Sequence, residues 1–414
     1  MNKKEIFICF FLSIFIFLLI QYELFHNIYI PPVYLDSHNL FLGGGLKKFG
    51  DLVYIVEIID CYKKGFNVYV NNYCVLNKGI NYGSFLYGPI LLNLPIFSAY
   101  TTHLIVLITS YIFLFFYIYV IFKILKPISI YDYILFLIVI CSPSSILLIE
   151  RMNIDIIIFI LLIILIYKKK KILFDFIIII LSTFIKFYPI VFLVSFLIKR
   201  KIRSREILNF FFCFLLILIF FFIISEKILN IILILDNVAK SFKFSFSLNT
   251  LQNILFYFFN MENKIMIKLI LILINIAVSY ILYTFFKDHL PLNSNKLLLT
   301  KDLQLFLISA TLAYFLYILF SNNYYREVYL IGTLPFLISL NKKKLILPKI
   351  IYILYYIKQI FLIIFLPFYI NLDIKSNIVA KILVVSKASI DFIYITLMLS
   401  LIFVILNFLF KLNK

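Results

Sequence analysis

Several residue types that soluble proteins use freely are scarce in this chain of 414 residues. Tryptophan is absent, glycine occurs 9 times, proline occurs 11 times, and charged residues make up only 14% of the sequence. Hydrophobic residues reach 64% and the mean hydropathy is +1.09, whereas roughly half of a soluble protein is apolar. This composition excludes a soluble globular fold and predicts one polytopic, all-α membrane domain over residues 1–414.

Motifs for metal or nucleotide chemistry are also lacking. The four histidines, His26, His38, His103 and His289, are scattered without the spacing of metal ligands. No glycine-rich phosphate loop, Walker pattern or Ser/His/Asp arrangement occurs, and the loops between apolar segments on the predicted inner side are too short for a nucleotide-sugar domain. We therefore expect no metal and no cofactor.

The apolar segments predict about twelve transmembrane helices. The formal net charge of +20 comes from basic clusters in short loops, and all of these clusters fall on one side of the membrane in a twelve-span arrangement. By the positive-inside rule this side is the cytoplasm, so both termini are cytoplasmic and nucleic acid is not expected as a partner. The largest outer loops cover about residues 30–84 and 225–264.

Two turns on the outer side are expected to lie below the membrane surface. Between the cytoplasmic Lys171 and Lys199 the chain must cross outward and back, in legs of about 14 residues that each rise about 20 Å as helix. The hydrocarbon core is about 30 Å thick, so the turn at residues 186–189 is recessed. The short segment 154–167 places residues 150–155 at similar depth. Ionisable groups at such depth indicate a functional site.

Short motifs in this region resemble the family 87 glycosyltransferases. The motifs are "ERMNID" (150–155), "KFYP" (186–189), Asp51 with Tyr54 followed by "FLYGP" (85–89), and "NNYYREVYLIGTLPFL" (322–337). The sequence departs from the family at Met152, where a small residue is frequent, and at Gly88, where proline is expected. The similarity extends from about residue 51 to residue 335.

The resemblance implies an integral-membrane enzyme of the C-type glycosyltransferase superfamily, with a large first outer loop. Such enzymes transfer a hexose, typically mannose, from a polyprenyl-phosphate sugar donor to a lipid or glycan acceptor, with inversion at the anomeric carbon. We expect the site to face outward from the cytoplasmic membrane, with membrane lipids as its surroundings.

The chemistry of such a transfer assigns roles to particular side chains. A carboxylate must take the proton of the acceptor hydroxyl, and Asp51 is the candidate, with Asp36 and Asp60 as alternatives. Cations must hold the departing phosphate, and the candidates are Lys186, Arg151 and Arg326.

Each assignment has a structural alternative. Lys186 would then only extend towards the interface, Arg151 would pair with Asp155, and Arg326 would pair with Glu327. The predicted substrate-binding residues are Tyr54, Tyr87, Asn153 and Tyr188. Tyr54, Tyr69 and Tyr87 are candidate platforms for a sugar ring, and the alternative for these three is interfacial packing. A disulfide between Cys61 and Cys74 is predicted to brace the first outer loop.

Two other functions fit the sequence. A glycolipid flippase or transporter would use the buried charges to line a pathway, although the sequence shows none of the two-fold repetition that is frequent in transporters. A multi-span glycan polymerase or ligase would carry its large outer loop late in the chain, whereas here this loop follows the first span.

Overall fold

The computed structural model describes twelve stretches of the chain: residues 3–21, 49–69, 87–94, 99–168, 172–196, 204–227, 246–258, 263–287, 300–319, 324–342, 345–370 and 378–412. Every regular element within these stretches is a helix. The α-helices are α1 (Lys3–Gln21), α2 (Gly50–Lys63), α3 (Ala99–Leu125), α4 (Ile130–Ile140), α5 (Pro143–Arg151), α6 (Asp155–Tyr167), α7 (Ile172–Ile185), α8 (Ser204–Ile223), α9 (Leu248–Phe258), α10 (Lys264–Phe286), α11 (Lys301–Leu319), α12 (Val328–Ile331), α13 (Leu334–Asn341), α14 (Ile346–Ile370) and α15 (Ile378–Leu412). Short 3-10 helices are Pro89–Asn93, Tyr188–Phe196 and Tyr324–Glu327.

Long apolar helices make this an all-α membrane protein. Within the described stretches, five helices are long and apolar enough to cross a bilayer: α3, α10, α11, α14 and α15. A sixth span arises if α4 and α5, which meet at an angle of 50°, are counted together. Several of the other predicted crossings correspond to shorter apolar helices of 10–17 residues, among them α6 and α7.

Local signals in the sequence fix several helix ends. Ser129 and Asp132 form a reciprocal capping box at the start of α4. Ser142 caps α5, and Pro143 follows at the first helical position, where the missing amide proton of proline has no consequence. Asn263 accepts a hydrogen bond from the backbone of Met266 at the start of α10.

The chain divides into two compact units. The first consists of residues 1–165, 169–190 and 212–239, and the second of residues 166–168, 191–211 and 240–414. The sequence predicts a single domain, and each of the two units has its own packed interior of helices.

The first unit packs α1 against α3, and α3 against α4. Helix α2 contacts α3, α5 and the 3-10 helix Pro89–Asn93, which also contacts α7. A buried hydrogen bond of 2.9 Å joins the hydroxyl groups of Tyr117 and Ser145 and so links α3 to α5. Helix α2 is therefore held against the helices that carry the polar turns.

The second unit is built around α15, which contacts α9, α10, α11 and α14. Asn275 of α10 donates a hydrogen bond of 2.6 Å to the hydroxyl of Thr396 in α15. Ser279, one turn further along α10, donates to the backbone oxygen of Thr396 at 3.0 Å. These two hydrogen bonds fix the register of α10 against α15.

The predicted outer loops contain helices where they are described. Helix α2 lies within the first predicted loop, residues 30–84, and α9 lies within the second, residues 225–264. The rest of the first loop is described only at 49 and 64–69. Lys387 lies inside α15.

Candidate functional site

A backbone contact places Asp51 beside the polar turn at residues 150–155. Phe49 adopts a left-handed conformation with φ of 61° just before α2, and its amide donates to the carbonyl of Glu150 at 2.8 Å. Asp51 lies in the first turn of α2, where the helix dipole favours a negative charge. The start of α2 is therefore fixed against the end of α5.

The turn between α5 and α6 is closed by its own backbone. Met152 has φ of 47°, and the amides of Met152 and Asn153 donate to the carbonyls of Ile149 and Leu148, as in a Schellman motif. This conformation favours glycine or asparagine, and Met152 adopts it at the end of α5. The side chain of Asn153 then accepts from the amide of Asp155 at 3.0 Å.

A second backbone contact joins the segment at Tyr87 to the end of α7. The amide of Gly88 donates to the carbonyl of Ile185 at 2.9 Å. A β-carbon at Gly88 would lie 1.7 Å from the carbonyl oxygen of Phe184, so only glycine permits this approach. The contact brings the ring of Tyr87 to 5.1 Å from the ammonium nitrogen of Lys186.

Asp51 and Arg151 form the first of two ion pairs. The Oδ1 atom of Asp51 accepts hydrogen bonds from Nε of Arg151 at 2.9 Å and from Nη2 at 2.5 Å. Its Oδ2 atom accepts from Nδ2 of Asn153 at 2.5 Å. Three charge-assisted or short polar contacts therefore hold this carboxylate.

Lys186 and Asp155 form the second ion pair. The ammonium group of Lys186 lies 2.9 Å from Oδ1 of Asp155 and 3.0 Å from Oδ1 of Asn153. The hydroxyl of Tyr188 also donates to Oδ1 of Asp155, and the ring of Tyr188 lies 5.7 Å from the ammonium nitrogen. The side chains of Lys186 and Asp155 are only 7% and 0% exposed.

One amide joins the two ion pairs. Asn153 donates from Nδ2 to Asp51 and accepts at Oδ1 from Lys186. We call the five residues Asp51, Arg151, Asn153, Asp155 and Lys186 the Asp51 cluster. Its two positive and two negative side chains balance, which permits their burial inside the protein. It combines a carboxylate with a guanidinium and an ammonium group, the groups needed for proton acceptance and phosphate binding.

Comparison with protein-family models, with curated proteins and with solved structures returns no match.

The structure brings most of the predicted site residues together. Asp51, Arg151, Asn153, Lys186, Tyr87 and Tyr188 converge in the first unit. Arg151 pairs with Asp51, and Asp155 pairs with Lys186, so the alternative bridge between Arg151 and Asp155 is not the arrangement formed. Both ends of the Asn153 amide are engaged by protein groups, and the residue therefore positions its neighbours in this state.

Other predicted tyrosines line the same region. Tyr54 is buried in α2, one turn after Asp51. Tyr69 is also buried, and its hydroxyl donates to the backbone oxygen of Tyr87 at 3.5 Å. Burial raises the pKa of Tyr69 well above its ordinary value, so the hydroxyl remains a donor.

The structure describes one of the two alternative bases and one of the two cysteines of the predicted disulfide. Asp60 lies near the other end of α2 and forms an exposed ion pair of 2.6 Å with Lys64, while Asp36 lies outside the described residues. Cys61 is disulfide-bonded. Cys74, its predicted partner, also lies outside the described residues.

Arg326, the third predicted phosphate ligand, belongs to the second unit. It lies in the 3-10 helix Tyr324–Glu327, directly before a buried glutamate. Its role in substrate binding stays a prediction. Within the described stretches, no group of three or more His, Cys, Asp or Glu side chains is arranged to hold a metal ion.

The second unit contains a charge network that sequence reasoning did not identify. We call Glu327, Lys358, Lys387 and Asp391 the buried quartet. Lys358 lies 3.0 Å from Glu327 and 2.7 Å from Asp391, and Lys387 lies 2.9 Å from Asp391. These side chains are 0–3% exposed. The ring of Phe246 covers the ammonium nitrogen of Lys358 at 4.3 Å.

A signal for the quartet is present in the sequence. Lys358 interrupts "IYILYYIKQIFLIIF" and Asp391 interrupts "KASIDFIYI", and each lies in a segment predicted to span the membrane. Charges inside apolar spans are rare, pair with one another and are functional by default. This rule would have marked Lys358 and Asp391 as paired, functional charges, without identifying their partners.

Proposed function

We propose that the chain is a membrane glycosyltransferase that moves one hexose, most simply mannose, from a polyprenyl-phosphate donor to a lipid or glycan acceptor. The proposal includes about twelve spans in the C-type architecture, with both termini cytoplasmic and the site facing outward. It extends the observed all-α membrane fold.

The observation that carries the proposal is the convergence of three chain segments on the Asp51 cluster. The start of α2 supplies a carboxylate, the α5–α6 turn supplies a guanidinium and an amide, and the end of α7 supplies an ammonium group. Backbone contacts of 2.8 Å and 2.9 Å hold the first and third segments in place. A carboxylate beside two cations is the set of groups that transfer from a phosphate-linked sugar requires.

The proposed reaction is a single displacement. Asp51 accepts the proton of the acceptor hydroxyl as the acceptor oxygen forms a bond to the anomeric carbon of the hexose. The bond from that carbon to the phosphate oxygen breaks, and its electron pair remains on the phosphate. Arg151 stabilises the additional negative charge by hydrogen bonding, and the anomeric configuration inverts.

The test is transfer of radiolabelled hexose from synthetic polyprenyl-phosphate mannose and polyprenyl-phosphate glucose into membrane lipid extract by the purified protein. We expect product with wild type and a loss of at least about 100-fold with Asp51→Asn, since general-base catalysis contributes about that much. Asp60→Asn is the matched control, because it removes a carboxylate from the exposed end of the same helix. Absence of product from both donors would contradict the proposal.

A second candidate is a glycolipid flippase or transporter, and one observation favours it. In the second unit, α12 and α13 are separated by Gly332 and Thr333, and the buried quartet includes Glu327, directly before α12. Interrupted helices and charged side chains at membrane depth occur together at transporter binding sites. The quartet is, however, neutral and internally paired.

Liposome assays separate the two functions. A flippase would move fluorescent glycolipid between leaflets without consuming a polyprenyl-phosphate sugar, and neutralising the quartet with Glu327→Gln/Lys358→Met would stop this movement. The transferase proposal expects sugar transfer without leaflet exchange, and Asp51→Asn as the damaging substitution.

A further inference from the structure

The carboxylate of Asp51 is largely occupied in this structure. A carboxylate offers about four lone-pair positions for hydrogen bonds, and Asp51 accepts two hydrogen bonds at Oδ1 and one at Oδ2. An acceptor hydroxyl must come within hydrogen-bond distance of the same oxygens to pass on its proton. Both acceptor positions of Oδ1 are filled, so this oxygen must release Arg151 before it can serve as the base in the proposed reaction, on which this inference rests.

The two partners of Asp51 differ in exposure. The side chain of Arg151 is 29% exposed, whereas that of Asp51 is 10% exposed. Asn153 is only 2% exposed. An anion that approaches from outside therefore meets Arg151 first, and a guanidinium binds phosphate with the same paired geometry that it uses for a carboxylate.

The two oxygens of Asp51 would respond differently to the loss of Arg151. Oδ1 accepts its hydrogen bonds from Arg151, and Oδ2 accepts from Asn153. Asn153 is held in turn by the ammonium group of Lys186 and the amide of Asp155. Departure of Arg151 would free Oδ1 while Asn153 keeps Asp51 in position.

We propose that Asp51 and Arg151 form an anion-operated latch. The phosphate group of a polyprenyl phosphate takes the guanidinium of Arg151 from Asp51 and thereby frees Oδ1 as the proton acceptor. Asn153 and Lys186 are positioning residues in this device. The base becomes accessible only when the phosphate-bearing lipid is bound, which would prevent the free enzyme from activating water or an acceptor without a donor.

The latch predicts a change in polyprenyl-phosphate binding that would not be expected if Asp51 acted only as a base. Asp51 competes with phosphate for Arg151, so Asp51→Asn should bind radiolabelled polyprenyl phosphate about tenfold more tightly than wild type, the lower end expected for losing a charge-assisted hydrogen bond. Arg151→Gln should bind it at least about tenfold more weakly. Neutral polyprenol should show neither change, and Asp60→Asn should bind the phosphate lipid as wild type does.

A second measurement needs no substitution at Asp51. Carbodiimide modifies accessible protonated carboxyl groups, and peptide mass spectrometry quantifies the product at each residue. Saturating polyprenyl phosphate should raise modification of Asp51 several-fold and leave Asp60 unchanged, while polyprenol should have no effect. In Arg151→Gln, modification of Asp51 should be high without any lipid.

The outcomes separate the latch from the proposed transfer. Unchanged or lower modification of Asp51 with bound polyprenyl phosphate, or equal or weaker binding by Asp51→Asn, would overturn the latch. Failure of wild type and Asp51→Asn to bind polyprenyl phosphate would overturn it as well. If hexose transfer occurs without these changes in binding and in Asp51 modification, the transferase proposal is supported and the latch is refuted. If the changes occur without hexose transfer, the polyprenyl-phosphate site is supported and the transferase proposal is refuted.

Discussion

Replacing Lys358 with methionine removes a buried cation that contacts two carboxylates. Lys358 is the central residue of the 25-residue helix α14, so it lies about 18 Å from either end at 1.5 Å per residue. Its loss leaves Asp391 paired with Lys387 at 2.9 Å, while Glu327, at 0% exposure, loses the ammonium group 3.0 Å away. The substitution therefore leaves an excess negative charge inside the second unit.

The expected magnitude follows from this imbalance. Removing one partner of a buried ion pair destabilises a protein by about 3–5 kcal/mol, whereas replacing both partners by uncharged groups is often neutral. Lys358→Met should lower the free energy of unfolding by about 3–5 kcal/mol. Glu327→Gln/Lys358→Met keeps the neutral pair of Asp391 and Lys387, and should recover about 2 kcal/mol or more of that loss.

Reversible unfolding in mixed detergent micelles, followed by circular dichroism, measures these differences. Lys349→Met is the matched control, because Lys349 is an exposed lysine of the same helix, and it should change stability by less than about 0.5 kcal/mol. Equal or greater instability of the double variant than of Lys358→Met would refute the argument, since it would show that charge balance does not govern the quartet.

Two further predictions concern the first unit. Gly88→Ala should reduce the folded yield of the purified protein in a detergent thermal-stability assay, because the new β-carbon would lie 1.7 Å from the carbonyl oxygen of Phe184. Gly50→Ala is the control, since a β-carbon at Gly50 would meet no atom within 4 Å. Equal folded yields of the two variants would contradict the expected clash. Lys186→Met should destabilise by about 3–5 kcal/mol because it leaves Asp155 charged in the interior. The pair Lys186→Met/Asp155→Asn should be more stable than Lys186→Met alone in the same mixed-micelle unfolding measurement, and a further loss in the pair would contradict the charge-balance argument.

The fold class follows from the sequence because it depends on composition. Long uncharged segments such as residues 269–286 must satisfy their backbone hydrogen bonds internally in a bilayer, and a helix achieves this within one segment. The number of crossings is harder to predict from the sequence, because segments such as α6 and α7 are shorter than a bilayer-spanning helix. Whether such a segment crosses depends on what surrounds it.

The candidate site was predictable as a set of residue types but not as a set of bonds. The depth argument selected residues 150–155 and 186–189, and the motifs added Asp51. Sequence spacing favoured a bridge from Arg151 to Asp155, since residues four apart share a helix face. Met152 ends the helix between them with a left-handed residue, so the two side chains leave the chain in different directions and find partners elsewhere.

By itself, the sequence determined that the chain enters a membrane as helices and that a few ionisable groups interrupt its apolar segments, since the free energy of placing residues in lipid makes such segments helical and such groups rare. Only the tertiary structure decided which charge faces which. Asp51 meets Arg151 because the amide of Phe49 binds the carbonyl of Glu150, about one hundred residues away in the chain. Lys358 meets Asp391 because α14 packs against α15. Pairing of this kind depends on distances between separate helices, and those distances are set by packing.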